Sequence, residues 1–109
     1  MPSALGGQLR VDVDVHMPHK FLVHAPHDSV GVAITDIHAG DTVEGVVLED
    51  NSVVTVVAVQ NIPLGHKIAL TSLSPGAKVI KYNEPIGIAK MAIRAGEHVH
   101  VHNLKSARW

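Results

Sequence analysis

Ile93-Arg94-Ala95-Gly96-Glu97-His98-Val99-His100-Val101-His102-Asn103 joins a glycine-centred turn to a strict alternation of imidazole and valine. Alternation with period two is the signature of a strand, in which successive side chains point to opposite faces. The first half of the stretch is an idiom: Ile or Leu, two residues, Gly, two residues, Val or Ile. It occurs three more times, as Ile37-His38-Ala39-Gly40-Asp41-Thr42-Val43, Ile62-Pro63-Leu64-Gly65-His66-Lys67-Ile68 and Leu73-Ser74-Pro75-Gly76-Ala77-Lys78-Val79. Each Gly stands where a tight turn asks for a positive φ, and each apolar pair can brace the strands on either side. The spacings differ and the intervening segments do not match, so this is a reused turn and not a solenoid repeat. The chain is therefore expected to be all-β, a barrel, sandwich or clip of short strands.

The surrounding sequence agrees. Phe21 to Ala25 and Ser29 to Ile34 are short apolar runs, and Ser52 to Val59, dense in β-branched residues, reads as a buried strand. No window has a helical period, and the prolines sit mainly at run boundaries. Val11 to Val15 alternates and reads as an edge strand within an otherwise tail-like segment, so a flexible tail over 1–19 and one compact domain over 20–109 are expected. With 46% hydrophobic but only 3% aromatic residues, the core has to be built of Val, Ile, Leu and Ala. The absence of cysteine excludes disulfides, thiolate metal sites and a Cys nucleophile. No leader-like or membrane-length apolar run is visible, which makes a cytoplasmic location the expectation.

The formal net charge of −1 argues against a general nucleic-acid binder. The charge is uneven, however. After His66 the chain carries Lys67, Lys78, Lys81, Lys90, Arg94, Lys105 and Arg108 against Glu84 and Glu97 alone. A net basic C-terminal part suits a small anion or an acidic partner surface, or is simply a solvated face.

On a strand, His98, His100 and His102 share one face, and Val99 and Val101 share the other, which should be core. Alternate residues are separated by roughly 6.6 Å, so neighbouring histidines can close on one ion with bonds of about 2.0–2.1 Å, whereas three on a straight strand span roughly 13 Å. Glu97, His98 and His100 are thus the candidate metal ligands, with His66 as a further donor. Imidazole also suits acid–base work near neutral pH. His100, His102 and Asn103 are candidate substrate contacts. His66 and Lys67, leaving the Pro63-Leu64-Gly65 turn into a strand, are held rigidly where a ligand can reach them. Lys81 and Tyr82 pair a charge with a phenol, a set that can bind a carboxylate. For each, a hydrogen-bonded or solvated surface residue is the competing reading. No complete catalytic constellation is legible, so the catalytic residues stay unassigned.

Several of these segments together resemble the altronate/galactarate dehydratase family. Asn61-Ile62-Pro63-Leu64-Gly65-His66-Lys67 is similar to its D-I-P-x-G-H-K motif, and Val79-Ile80-Lys81-Tyr82-Asn83 to its V-I-K-Y-G run. Ile93 to Asn103 is similar to I-x-x-G-E-H-V-H-x-H-N, and Asp28-Ser29-Val30-Gly31-Val32-Ala33 to D-S-V-G-V-A. Asn83 departs from the usual Gly, yet Asn tolerates the left-handed region that such a turn requires.

The resemblance implies a SAF domain with a β-clip fold, like type III antifreeze proteins. It further implies the separate small subunit of a two-part lyase, akin to that of sulfolactate sulfo-lyase or altronate dehydratase. The activity implied is β-elimination, of sulfite from sulfolactate or of water from a sugar acid such as altronate. A large catalytic subunit would be the partner, and a divalent metal, Fe2+ or Mn2+, would be held mainly there. Two other readings compete: a stand-alone SAF-type binding or assembly module, and a small cupin-like metal protein in which His98 and His100 imitate the cupin His-x-His. The cupin reading lacks its downstream Glu and His.

Overall fold

The four glycine turns organise the chain in space. In the computed structural model, which describes residues 18–106, Gly40, Gly65, Gly76 and Gly96 have φ of 93°, 86°, 85° and 89°. In every copy the residue after the glycine donates its amide to the carbonyl three residues back: Asp41 to His38, His66 to Pro63, Ala77 to Ser74 and Glu97 to Arg94. Each glycine amide then donates to the carbonyl of a buried alanine, respectively Ala58, Ala33, Ala89 and Ala69. Each alanine amide returns a bond to the carbonyl just beyond the turn. A methyl side chain lets the turn lie close over its partner strand, and the exchange satisfies turn amides that would otherwise be lost. The first residues of the idiom also pair, Ile37 with Ile62 and Leu73 with Ile93.

Nine strands result: β1 (Phe21–Val23), β2 (Val30–Ala33), β3 (Thr42–Val47), β4 (Val53–Val57), β5 (Lys67–Ala69), β6 (Lys78–Lys81), β7 (Glu84–Ala89), β8 (His98–Val99) and β9 (Leu104–Ser106). Six form one sheet in the order β4-β3-β1-β2-β5-β8, and three form a second in the order β6-β7-β9. All pairings are antiparallel except β1 with β3. No helix occurs among the described residues, and none there is long and apolar enough to cross a membrane.

The aliphatic core expected from composition divides in two. One cluster centres on Phe21, Ile37, Ile62 and Ile68, and the other on Val30, Val79, Ile93 and Val99. Phe21, fully buried, lies against Gly31 and Gly45; a β-carbon there would fall 2.7 Å and 2.2 Å from its ring. Glycine is required at both positions by close approach.

Three expectations need correction. Ser52 to Val59 does form a strand, but β4 lies at the sheet edge, with Val53 and Val57 more than half exposed. β-Branching marks a strand and says nothing about how many neighbours it has. The imidazole–valine alternation does not continue as one strand: β8 stops at Val99 and residues 100–103 form a turn. Consequently Val99 is fully buried whereas Val101 is 70% exposed, and the valines do not share a core face. The strand expected at Val11 to Val15, most of the expected tail and Arg108-Trp109 lie outside the described residues.

Candidate functional site

The antiparallel pairing of β5 with β8 sets Ile68 opposite His98, so His66, at the head of β5, comes beside the imidazole stretch. His66 Nδ1 lies 2.8 Å from His98 Nε2. The His66 ring is also 4.6 Å from that of His100, centroid to centroid. His98 stacks on His100 at 5.6 Å with only 9° between ring planes, and His102 folds back to 5.4 Å from His98. Four imidazoles thus form one group. The straight-strand limit on metal sharing is relaxed here, because the chain turns after Val99 and a fourth ring arrives from another strand.

The turn is shaped by Asn103, which is 2% exposed. Its Oδ1 accepts from the His100 amide at 3.0 Å, and its Nδ2 donates to the His98 carbonyl at 2.8 Å. The Asn103 amide donates to the His100 carbonyl. Lys90 Nζ adds a bond to the Val101 carbonyl at 2.9 Å. On the near side, Gln60 Oε1 accepts from the His98 amide at 2.9 Å. Asn103 therefore sits beneath the imidazoles with both ends of its side chain engaged by backbone.

Burial lowers the pKa of His98 below the usual imidazole value, and the neighbouring His66, His102 and His100 lower it further. Its neutral form, with a lone pair available, is favoured near pH 7. Lys67, half-buried beside His66, is likewise lowered, first by burial and then by the charge of Lys81. A lysine so placed gains most from an anion brought next to it.

Of the residues singled out in the sequence, His66, His98, His100 and His102 converge, and Lys67 adjoins them. Three of them, His66, His98 and His100, each offer a ligand nitrogen, and these nitrogens all lie within 4.8 Å of one another. Three neutral imidazole donors fit a borderline divalent ion such as Zn2+ or Fe2+. Glu97 stands outside that group and turns to Arg94, 3.4 Å away.

Lys81 and Tyr82 belong to the β6–β7 hairpin. Tyr82, 62% exposed, stacks on His24 with centroids 3.6 Å apart. Tyr82 and Asn83 both adopt left-handed backbone, φ 59° and 61°, so Asn83 keeps the turn as expected. The hairpin is fastened by Asp28, whose carboxylate accepts from the amides of Ala25, Tyr82 and Asn83 at 3.0–3.1 Å. Sequence reasoning passed over Gln60, His24, Lys90 and the structural part played by Asp28. Nothing in the pattern distinguishes a lone acid ahead of a strand from a solvated one.

A separate hollow of about 240 Å³ lies between two turn units, lined by Asp36, Ile37, His38, Asn61, Ile62 and Pro63. Its Asp36 and Asn61 side chains accept from the amides of Leu64 and Ala39.

Comparison with known proteins places the sequence in a lineage. The profile of the altronate/galactarate dehydratase SAF domain matches residues 19–107. The (2R)-sulfolactate sulfo-lyase subunit alpha of Chromohalobacter salexigens is 41% identical over 94 residues, covering 85% of this chain and 100% of that protein. The protein of the same name from Paracoccus pantotrophus is 48% identical over 64 residues, 59% of this chain and 96% of its own. Altronate dehydratase of Escherichia coli is 46% identical over 79 residues, which is 72% of this chain but 15% of that enzyme.

Proposed function

Because the chain belongs to the altronate/galactarate dehydratase SAF-domain family, we propose that it is the small subunit of a two-part lyase and that its reaction is the release of sulfite from a sulfolactate-type acid. The observation that carries the choice of reaction is coverage. The sulfo-lyase alpha subunits are matched over 100% and 96% of their length, and the Escherichia coli altronate dehydratase over 15% of its own. The name alpha subunit implies a partner subunit in those proteins, and most of the catalytic residues are read as lying on such a partner, the large chain.

The elimination removes the proton on the carbon α to the carboxylate, and the bond from the β carbon to sulfur breaks. Sulfite leaves with the electron pair, and the enol that remains tautomerises to a 2-keto acid. The substrate carries two anionic groups. Lys67 supplies a positive charge for one of them, and Lys81 a second charge nearby. His102 and His100, both exposed, offer N–H donors or a proton acceptor at the open side of the group. The buried amide of Asn103 holds the histidine backbone in place, so the rings meet the substrate without reorganising. A divalent metal, Fe2+ or Mn2+, held mainly by the large subunit, would supply Lewis-acid stabilisation of charge developing on the carboxylate. Both chains are read as cytoplasmic.

The test is co-expression with the large lyase subunit and assay of the purified complex for sulfite release and for dehydration of altronate or galactarate. Sulfite release that needs both chains is expected, and Lys67→Gln should raise KM by roughly tenfold, the loss of about one charge-assisted hydrogen bond. Full activity of the large subunit alone, or dehydration without sulfite release, would overturn the proposal.

A further inference from the structure

The imidazole group is built more firmly than contact with a passing substrate requires. His98 has its amide bound by Gln60 and its carbonyl by Asn103. His100 has its amide bound by the Asn103 side chain and its carbonyl by the amides of Asn103 and Leu104. The His66 amide donates to Pro63 and its carbonyl accepts from Ala33. The backbone amide and carbonyl of all three histidines are thus hydrogen-bonded, which leaves the ring nitrogens as their groups open to a ligand.

We propose that His66, His98 and His100 form a transition-metal site belonging to this chain itself, taking one divalent ion of the zinc, cobalt or ferrous kind. The ligand nitrogens lie within 4.8 Å of one another, and His66 Nδ1 and His98 Nε2 are only 2.8 Å apart. Bonds of about 2.0–2.1 Å to a shared ion hold two nitrogens roughly 3.3 Å apart in tetrahedral geometry. Reaching that needs a slight opening between His66 and His98 and a swing of the exposed His100 ring.

The donor set decides the class of ion. Among the described residues no carboxylate enters it, since Glu97 faces Arg94. Three neutral nitrogen donors without a carboxylate select borderline transition metals over Mg2+ or Ca2+, which want oxygen. Three protein ligands also leave a coordination position open, the arrangement of catalytic sites. The His102 ring lies 5.4 Å from that of His98, centroid to centroid. Use of the open position by the carboxylate or hydroxyl of the acid rests on the lyase reading above; the existence of the site does not.

The test is titration of the tag-free 109-residue chain with Co2+, read by visible d–d absorption, with Zn2+ competition read by calorimetry. One equivalent of Co2+ and an intense low-symmetry spectrum are expected. His100→Gln, at an exposed position that does not endanger folding, should weaken binding at least about tenfold, and His66→Ala should do the same. A pale octahedral spectrum, or binding undiminished in the His66→Ala/His100→Gln double variant, overturns the site. A chain that binds Co2+ within a complex that releases no sulfite keeps the metal site and sinks the lyase reading. An active complex whose small chain binds none does the reverse.

Discussion

Two tight turns lift candidate binding residues above the sheets, and each is fastened by one buried polar side chain of a different kind. The Tyr82-Asn83 hairpin is held by Asp28, a carboxylate 6% exposed that accepts three amides. The His100–Asn103 turn is held by Asn103, a carboxamide 2% exposed that accepts one amide and donates to one carbonyl. A carboxylate has no proton to give, so it suits a hairpin whose left-handed residues both turn their amides inward. A carboxamide bridges an amide to a carbonyl, so it suits a chain that leaves a strand and doubles back. In both places the exposed side chains invite the chemical reading, while the buried one beneath sets where they point.

The largest effect should come from removing the charged pin. Asp28→Ala strips an acceptor from three backbone amides, at roughly 1.5–3 kcal/mol for a bond to a charged group. Water reaches the hairpin amides in part, so a net loss of about 3 kcal/mol in urea unfolding is expected. The histidine ring resonances on the other turn should stay in place. A loss under about 1 kcal/mol would mean that the hairpin holds itself and that the two turns are not comparable.

Asn103→Ala removes two neutral bonds and should cost about 2 kcal/mol, with Co2+ affinity falling by roughly tenfold as the ligand backbones loosen. Asn103→Asp sharpens the contrast. It keeps the acceptor for the His100 amide but sets a carboxylate oxygen against the His98 carbonyl. It should therefore be no more stable than the alanine variant at neutral pH, when followed by urea unfolding.

The same division explains what the sequence made legible. The glycine idiom was readable because a positive φ leaves a residue type behind, and all four copies have it. His66 was legible as a further donor, but its placement against the later histidines came from the β5–β8 pairing, a contact across 32 residues that no local pattern encodes. Asn103 was singled out as a substrate contact, and its burial was not legible, because burial is invisible at a turn flanked by polar residues. The end of β8 at Val99 was hidden for a related reason. Alternation predicts a strand only while a partner remains to pair with, and β5, at Lys67–Ala69, is three residues long. The edge position of β4 depends likewise on sheet order, which β-branched composition does not carry.

The smallest effect tests whether the hairpin depends on its pin alone or also on its residues. Asn83 has φ 61°, and its contribution to the turn is its amide, which donates to Asp28. Asn83→Gly keeps that amide and removes the residual steric cost of a β-carbon in the left-handed region, while increasing the freedom of the unfolded chain. The two nearly cancel, and a gain of no more than about 0.5 kcal/mol is expected by urea unfolding. Asn83→Val should instead lose about 1–2 kcal/mol, because a β-branched residue is strained at that φ while the bond to Asp28 is still available. If the valine variant were as stable as the wild type, the two hairpin bonds to Asp28 would be sufficient to impose the turn on any residue, and the difference between the two turns would lie wholly in their pins.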